Sequence, residues 1–418
     1  MAYHVNASSW DIEMHQYLLM SSKKHARLAL RVPMPFDGAT YSDGDNQLLQ
    51  YFQCTASQAL TILGHDPVAL GETLMRLALS TTSHSATAVR QGILGLSSLH
   101  RYGVHRKAVE IKIAAIEALA AASSGPISDI EAMQHVAAGM LLCSFEIHRA
   151  SCTSGQWRWY ITGAKSIIRA SSLSQYKHDS DFNILLDWVH YHDALSRLSS
   201  LHWYPLPKGQ DPPSSNTTPE EECRFDECED TPILPAILPA TSSTANTLQI
   251  ILTEACDMLA AKQHSTTIDQ KYYRSFMNDI SWRLGSLSIS VTSDPILELF
   301  HLAMIVYLNR ATGNLLEPES KTQQRISRAF TMFASMGLCE RQFPLFILGC
   351  EARTDEDRRM VLDLVDRTDK AASSRWMFLT RAFMQKVWVQ DDLAEGELDY
   401  MDKLSAIMST CKILPPLV

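Results

Sequence analysis

Apolar residues recur at intervals of three and four along almost the whole sequence, which is the spacing of one buried face of an α-helix. Residues 47–63, QLLQYFQCTASQALTIL, show this spacing with Leu49, Phe52, Ala56 and Leu60. Nowhere do four or more residues alternate cleanly between apolar and polar over a β-branched run, as a half-buried strand requires. The sequence therefore predicts an all-α, multi-helical fold with a dozen or more helices.

The ends of several predicted helices carry capping signals. Ser128 precedes a helical run and Glu131 follows three residues later, which is the pattern of a capping box. Gly103 is placed to close the helix of residues 86–102 as a C-terminal cap, because glycine readily adopts the left-handed conformation found there. Further helical patterns begin near Trp157, Asp181, Thr247, Asp269, Asp294, Gln323 and Ser373.

A proline-rich and acidic segment divides the helical sequence into two blocks. Residues 204–243 hold eight of the 17 prolines, and residues 220–230, EEECRFDECED, hold seven acids and one arginine. Prolines remove hydrogen-bond donors and like charges repel one another, so this composition is typical of a disordered loop.

This division predicts four segments. Residues 1–45 form an N-terminal arm with a short helix, and residues 46–203 form helical block one. Residues 204–246 form the disordered loop, and residues 247–418 form helical block two. We expect the two blocks to pack on each other as one domain.

The net charge of −9 argues against this chain binding nucleic acid by itself, because such proteins present basic surfaces to the phosphates. No apolar run approaches the roughly 18 residues of a membrane span, so no membrane association is predicted. The nine cysteines are an odd number spread through apolar segments, which is typical of reduced thiols in the nucleus or cytoplasm.

No motif in the sequence nominates a reaction. The patterns GxSxG, HExxH, GxxxxGK followed by Ser or Thr, and GxGxxG after a strand are all missing. Cys223 and Cys228 lie in the acidic segment without further ligands, so no metal site is predicted there. We expect no cofactor, no metal and no catalytic residue, and an enzyme acting on an apolar metabolite stays open as an alternative.

The junction FPLFILGCEARTDEDRR, residues 343–359, brings an apolar run directly against acids and arginines. Phe346 and Cys350 share one helical face, which favours Cys350 as a small buried residue over a nucleophile. Gly349 would let another backbone approach closely. Thr354, with Asp357 three residues later, predicts a second capping box at the start of the next helix.

Aromatic residues concentrate between positions 157 and 204, where a ligand pocket and a plain hydrophobic core are both open interpretations. His190 and His192 cannot share one metal ion, because residues two apart on a helix point about 200° away from each other. Large rings with a few polar tips suit an apolar, oxygenated small molecule, as effector or as substrate. The candidate ligand-binding residues are Trp157, Trp159, Tyr160, Trp188, His190, Tyr191 and His192.

Several segments, taken in order, resemble a known family of fungal proteins. LLQYFQCTASQAL, AVEIKIAAIEALAAA, AMQHVAAGMLLCSFEI and GQWRWYITGAKSIIRA are similar to segments of the fungal-specific transcription factor regulatory domain, and FPLFILGCEARTDEDRRMVLDLV resembles its penultimate segment. The resemblance runs from about Leu48 to about Met408. It implies an all-helical domain that senses an effector, associates with itself and regulates transcription in the nucleus.

The sequence departs from the usual arrangement of this family. The binuclear zinc cluster that usually precedes the domain needs six cysteines in two CxxC-led groups, and no such pattern occurs here. We therefore expect a transcription regulator or co-regulator, of a metabolic or secondary-metabolite pathway, that does not bind specific DNA directly. The expected partners are a DNA-binding protein or a second copy of the chain, and an apolar small-molecule effector. The alternatives are a repurposed enzyme and an interaction scaffold, and the alternative location is the cytoplasm.

Overall fold

In a computed structural model of the protein, the described residues form α-helices, one short 3-10 helix and their connections, with no strand among them. The structure describes residues 45–123, 127–149, 155–171, 173, 179–203, 243–264, 268–287, 294–371, 377–394, 398–411 and 414–418. The predicted all-α fold with a dozen or more helices is confirmed. The predicted arm, apart from Asp45, and residues 204–242 of the predicted loop lie outside the described residues.

The described part of the chain contains fifteen α-helices, numbered here in chain order. They are α1 (Asp45–Cys54), α2 (Pro67–Leu79), α3 (His84–Tyr102), α4 (Arg106–Ala122), α5 (Asp129–His148), α6 (Trp157–Ala170), α7 (Ser180–Trp203), α8 (Thr244–His264), α9 (Gln270–Ser286), α10 (Pro295–Ala311), α11 (Glu319–Ser335), α12 (Gln342–Cys350), α13 (Asp355–Ala371), α14 (Met377–Leu393) and α15 (Tyr400–Met408). The 3-10 helix, η1, covers Ala56–Ala59 between α1 and α2.

The predicted caps of α3 and α5 are confirmed. The backbone N–H of Ser128 donates to the Glu131 carboxylate over 3.0 Å, and the N–H of Glu131 donates to the Ser128 hydroxyl over 3.4 Å. Gly103 has a φ of +76°, and its N–H donates to the Leu99 carbonyl over 2.8 Å. These helix ends are set by neighbouring residues, which is why the sequence alone locates them.

Most predicted helix starts fall within a few residues of the observed ones. α6 begins at Trp157, as predicted, and α8 begins at Thr244, three residues before the predicted Thr247. The hydroxyl of Ser243 explains the earlier start of α8, because it accepts the N–H of Asn246 over 3.1 Å as an N-cap. The start predicted near Ser373 lies outside the described residues, and α14 is described from Met377.

One hydrophobic core runs through the described residues, with members from Phe52 to Val418 on both sides of positions 204–242. α7 and α8 lie along each other in parallel. The amide of Asn246 donates to the Asp187 carboxylate over 3.0 Å, and ten residues further along α7 Arg197 pairs with Asp257. Both predicted blocks therefore contribute to one core, and their boundaries stay predictions.

The structural interpretation of the Cys350–Glu351 junction is confirmed. Cys350 is 3% exposed, and burial raises the pKa of its thiol well above the usual value, so the thiolate is disfavoured. Glu351 accepts from the guanidinium of Arg310 over 3.1 Å. What approaches Gly349 is the side chain of Met384 rather than another backbone. A bulkier residue than glycine would overlap that side chain.

The predicted cap of α13 is present in a modified form. The N–H of Asp357 donates to the Thr354 hydroxyl over 3.1 Å, as an N-cap requires. The Thr354 hydroxyl itself donates to the Asp357 carboxylate over 2.7 Å.

No described helix combines the length and apolarity that a bilayer crossing requires.

Candidate functional site

The structure separates the seven candidate ligand-binding residues into three groups. Trp157, Trp188, Tyr191 and His192 are fully buried in the core. Tyr160 and His190 are half-buried. Trp159 is 60% exposed, because it lies two positions from Trp157 and therefore points away from the face of α6 that packs on the protein.

The structure shows no aromatic ring contact between the candidate residues of α6 and those of α7 within the described part of the chain. No ring contact links Trp157 to an aromatic side chain of α7 in the described structure. Tyr160 lies near Cys143 and Glu146 of α5, and burial raises the pKa of its phenol to about 12. The described ring contacts connect Trp188, Tyr191 and His192 among the seven candidates.

Trp188, Tyr191 and His192 form an aromatic cluster that extends across the core. The ring of His192 lies 6.2 Å from that of Trp188 and 5.6 Å from that of Tyr191, both edge-on. Tyr191 lies 6.2 Å from Phe300 of α10, which lies 4.9 Å from Phe343 of α12. Such tilted and edge-to-face pairs are favourable packing geometries for aromatic rings.

His190 and His192 point away from each other, as the helical spacing predicts. His190 lies among the charged groups of Asp187, Asp193 and Lys165, and burial lowers the pKa of its imidazole. Burial lowers the pKa of His192 to about 3, so this imidazole is neutral. No group of three or more His, Cys, Asp or Glu side chains with metal-binding geometry occurs in the described residues.

The face of α7 that holds the aromatic cluster also carries polar atoms without hydrogen-bond partners in the protein. Trp188, Tyr191, His192 and Ser199 follow one another at steps of three, one and seven, which places them on one side of the helix. The indole N–H of Trp188, the hydroxyls of Tyr191 and Ser199, and both ring nitrogens of His192 are buried and unpaired. The carbonyl of Thr61 lies near His192 without reaching hydrogen-bond geometry.

Arg341, immediately before α12, lies near Tyr191 and His192 of this face. We call the four α7 residues and this arginine the Arg341 cluster: Trp188, Tyr191, His192, Ser199 and Arg341. Arg341 is only 9% exposed. Its Nη2 donates to the carbonyl of Ile62 over 3.0 Å, and its Nε has no partner. Its positive charge disfavours protonation of His192 and partly offsets the effect of burial on Tyr191, whose pKa rises to about 12.

The chemistry of the Arg341 cluster suits recognition better than reaction. Its donors are an indole N–H, a phenol, a neutral imidazole and a guanidinium, all of which can bind an acceptor oxygen. The nearby thiol of Cys339 is buried, which raises its pKa to about 11 and leaves it a poor nucleophile. Sequence reasoning identified Trp188, Tyr191 and His192 but missed Arg341 and Ser199. An arginine two residues before the apolar run FPLFILGC was the available signal.

A concave region lies among α9, α10 and α11. It is a groove of about 560 Å³ that is lined by Glu298, His301, Lys321, Arg325 and other residues. Its arginines already have protein partners. Arg328 pairs with Glu298 over 2.7 Å, and Arg325 pairs with Glu317 over 2.9 Å. The groove therefore contains fewer polar atoms without hydrogen-bond partners than the Arg341 cluster does.

Comparison with known proteins identifies the family. The family described as "Fungal specific transcription factor domain" matches residues 47–410. The chain belongs to this family. The transcription factor iacI of Pestalotiopsis fici is 39% identical over 378 residues, which cover 89% of this chain and 94% of that protein. No solved structure matches the chain.

The resemblance seen in the sequence is thereby confirmed. The fungal-specific transcription factor domain extends from within α1 to just beyond α15 and contains the whole Arg341 cluster. The chain is a transcription regulator by virtue of this domain. The ligand-binding role of the seven candidate residues stays a prediction.

Proposed function

We propose that this protein regulates transcription in the nucleus as a co-regulator, and that a partner protein supplies the contact with specific DNA. The observation that carries the proposal is a match to the fungal-specific transcription factor domain in a sequence that contains no CxxC pair. The net charge of −9 supports it, because specific DNA binding needs a basic surface. The regulated genes belong, in this proposal, to a metabolic or secondary-metabolite pathway.

A tethering experiment tests the regulatory role. The chain is fused to an unrelated DNA-binding domain and expressed with a reporter gene that carries the matching site. We expect reporter transcription to change relative to the DNA-binding domain alone. A fusion carrying Cys350→Asp, which places a carboxylate in the core, should lose the effect, because an unpaired buried charge prevents stable folding. An unchanged reporter with a well-expressed fusion would favour an interaction scaffold.

A gel shift tests the need for a partner. The purified chain alone should give no sequence-dependent shift of duplex DNA at physiological salt, because little of its charge can displace counterions from DNA. A fluorescent fusion should be concentrated in the nucleus. A specific shift by the chain alone would contradict the co-regulator proposal, and the reporter result would still stand.

We also propose that a small-molecule effector controls this activity by binding at the aromatic cluster of α7. Trp188, Tyr191 and Phe300 provide apolar rings, and the Arg341 cluster provides polar groups without protein partners, and small-molecule sites combine these two kinds of group. Binding without turnover of the bound compound is the expected behaviour of a regulator. Turnover would favour the enzyme alternative.

A further inference from the structure

The Arg341 cluster concentrates unpaired polar atoms to an unusual degree. Five atoms on one face of α7 and the Nε of Arg341 are buried without a protein partner. Buried polar groups in folded proteins are almost always hydrogen-bonded, and an unsatisfied one costs about 1–3 kcal/mol. Because Arg341 lies near Tyr191 and His192 of this face, one ligand that reaches the guanidinium can also reach these two side chains.

The charge of Arg341 narrows the chemistry of that partner. The buried Arg197 and the half-buried Arg310 are each paired with two carboxylates: Arg197 contacts Asp193 and Asp257, and Arg310 contacts Glu351 and Glu319. No carboxylate of the described residues lies within ion-pairing distance of Arg341, whose one hydrogen bond is to a carbonyl. A buried cation without a counter-ion is costly, so an anion that reaches the guanidinium would be strongly stabilised.

The surrounding groups add two further requirements. The phenol of Tyr191 and the indole N–H of Trp188 can donate to the oxygens of a planar acceptor. The rings of Trp188, Tyr191 and Phe300 favour an aromatic body attached to that acceptor.

We propose that the Arg341 cluster binds a small aromatic carboxylate, with the carboxylate on the guanidinium of Arg341 and a hydrogen bond from Tyr191. This inference rests on the proposed effector role of the site and specifies the chemical class of the effector. The ligand carboxylate would compete with the Ile62 carbonyl for Arg341. The segment between η1 and α2 is tied down at a second point, where His65 meets Asp187 over 2.7 Å. Ligand binding would thereby act directly on this segment.

Binding of cinnamate to the purified full chain tests the proposal, with cinnamamide as the uncharged match. Calorimetry and tryptophan fluorescence should show saturable binding of cinnamate at millimolar concentration or below, and much weaker binding of cinnamamide. Arg341→Met should weaken cinnamate binding about 10- to 100-fold, which corresponds to the loss of a charge-assisted hydrogen bond. Arg353→Met, at the opposite end of α12 and half-exposed, should bind like the wild type.

Tyr191→Phe keeps the test independent of folding. Its hydroxyl has no protein partner, so the ligand-free variant should unfold at or above the wild-type urea midpoint while binding cinnamate about 2- to 10-fold more weakly. Tyr307→Phe is the matched control, because the Tyr307 hydroxyl bonds His202 over 2.8 Å and its removal should lower the midpoint.

Three results would overturn the proposal. They are no saturable cinnamate binding, equal binding of cinnamate and cinnamamide, and a midpoint of Tyr191→Phe as low as that of Tyr307→Phe. The last would show that solvent already satisfies the Tyr191 hydroxyl. Cinnamate binding that leaves the tethered reporter unchanged would support the site and contradict its effector role.

Discussion

Replacing glycine by alanine should have opposite effects at two helical positions of this protein. Gly349 lies in the last turn of α12 against α13 and α14, and a Cβ there would overlap the sulfur of Met384 and lie 3.2 Å from Val361. Gly163 lies in the middle of α6, is exposed, and has no atom within 4 Å of the position of a Cβ. We expect Gly349→Ala to destabilise the protein and Gly163→Ala to stabilise it.

The magnitudes follow from packing and helix propensity. Overfilling a close-packed core costs about 1–3 kcal/mol, and both Met384 and Val361 are fully buried, which leaves them little room to move. Alanine in place of glycine in a helix gains up to about 1 kcal/mol, and a position near a helix end gains less. Gly349→Ala should therefore lower the free energy of unfolding by about 1–2 kcal/mol. Gly163→Ala should raise it by about 0.5–1 kcal/mol.

Urea unfolding followed by circular dichroism measures both changes, and a second background isolates the cause. Met384→Ala alone should cost about 2–5 kcal/mol, because it leaves a cavity. Adding Gly349→Ala to Met384→Ala should cost much less than in the wild-type background, since the overlapping sulfur is gone and only the 3.2 Å contact with Val361 remains. The same sign of change at positions 163 and 349, or equal costs of Gly349→Ala in the two backgrounds, would refute the packing argument.

Three further predictions address burial. Cys350→Ala should leave transcriptional regulation intact and lower the free energy of unfolding in urea by on the order of 1 kcal/mol. Cys350→Asp should prevent stable folding. Loss of regulation in a well-folded Cys350→Ala protein would support the nucleophile interpretation instead. Burial lowers the pKa of His202 to about 3, so the unfolded chain takes up the proton first as the pH falls. The contribution of His202 to stability is fully present above pH ~6.5 and should fall by up to about 1.4 kcal/mol per pH unit between pH ~6.5 and about 3. His202→Gln should flatten that slope in pH-dependent urea titrations, and an unchanged slope would contradict the prediction. Trp188→Ala should destabilise the protein by about 3–5 kcal/mol in the same assay. Trp159→Ala, at an exposed site, should change the free energy of unfolding by less than about 0.5 kcal/mol. Similar losses at the two positions would contradict the burial of Trp188 and the exposure of Trp159.

Local features of the fold could be predicted from the sequence, because they depend on residues a few positions apart. The capping box of Ser128 and Glu131 and the glycine cap at Gly103 are examples. The parallel pairing of α7 with α8 could not be predicted in this way. It depends on contacts such as Asn246 with Asp187, whose partners are 59 residues apart and carry no shared sequence signal.

The candidate site was predictable only in part, for a related reason. Concentration of aromatics in the sequence identified Trp188, Tyr191 and His192, which lie within one helix. The same reasoning included Trp159, although the 200° separation that distinguishes His190 from His192 applies equally to Trp157 and Trp159. Arg341 reaches the site from 149 residues beyond His192, so only the tertiary structure shows that its charge lies there.

The parallel arrangement of α7 and α8 gives the chain a tolerant insertion point. The link must return from the end of α7 to a level near Asp187, about 25 Å at 1.5 Å per residue. An extended chain covers that distance with roughly eight residues, and 40 residues, 204–243, are available. Foreign sequence such as an affinity tag or a fluorescent domain can therefore be placed there without straining the core. The same surplus would let the protein be produced as two polypeptides that reassemble through their shared core.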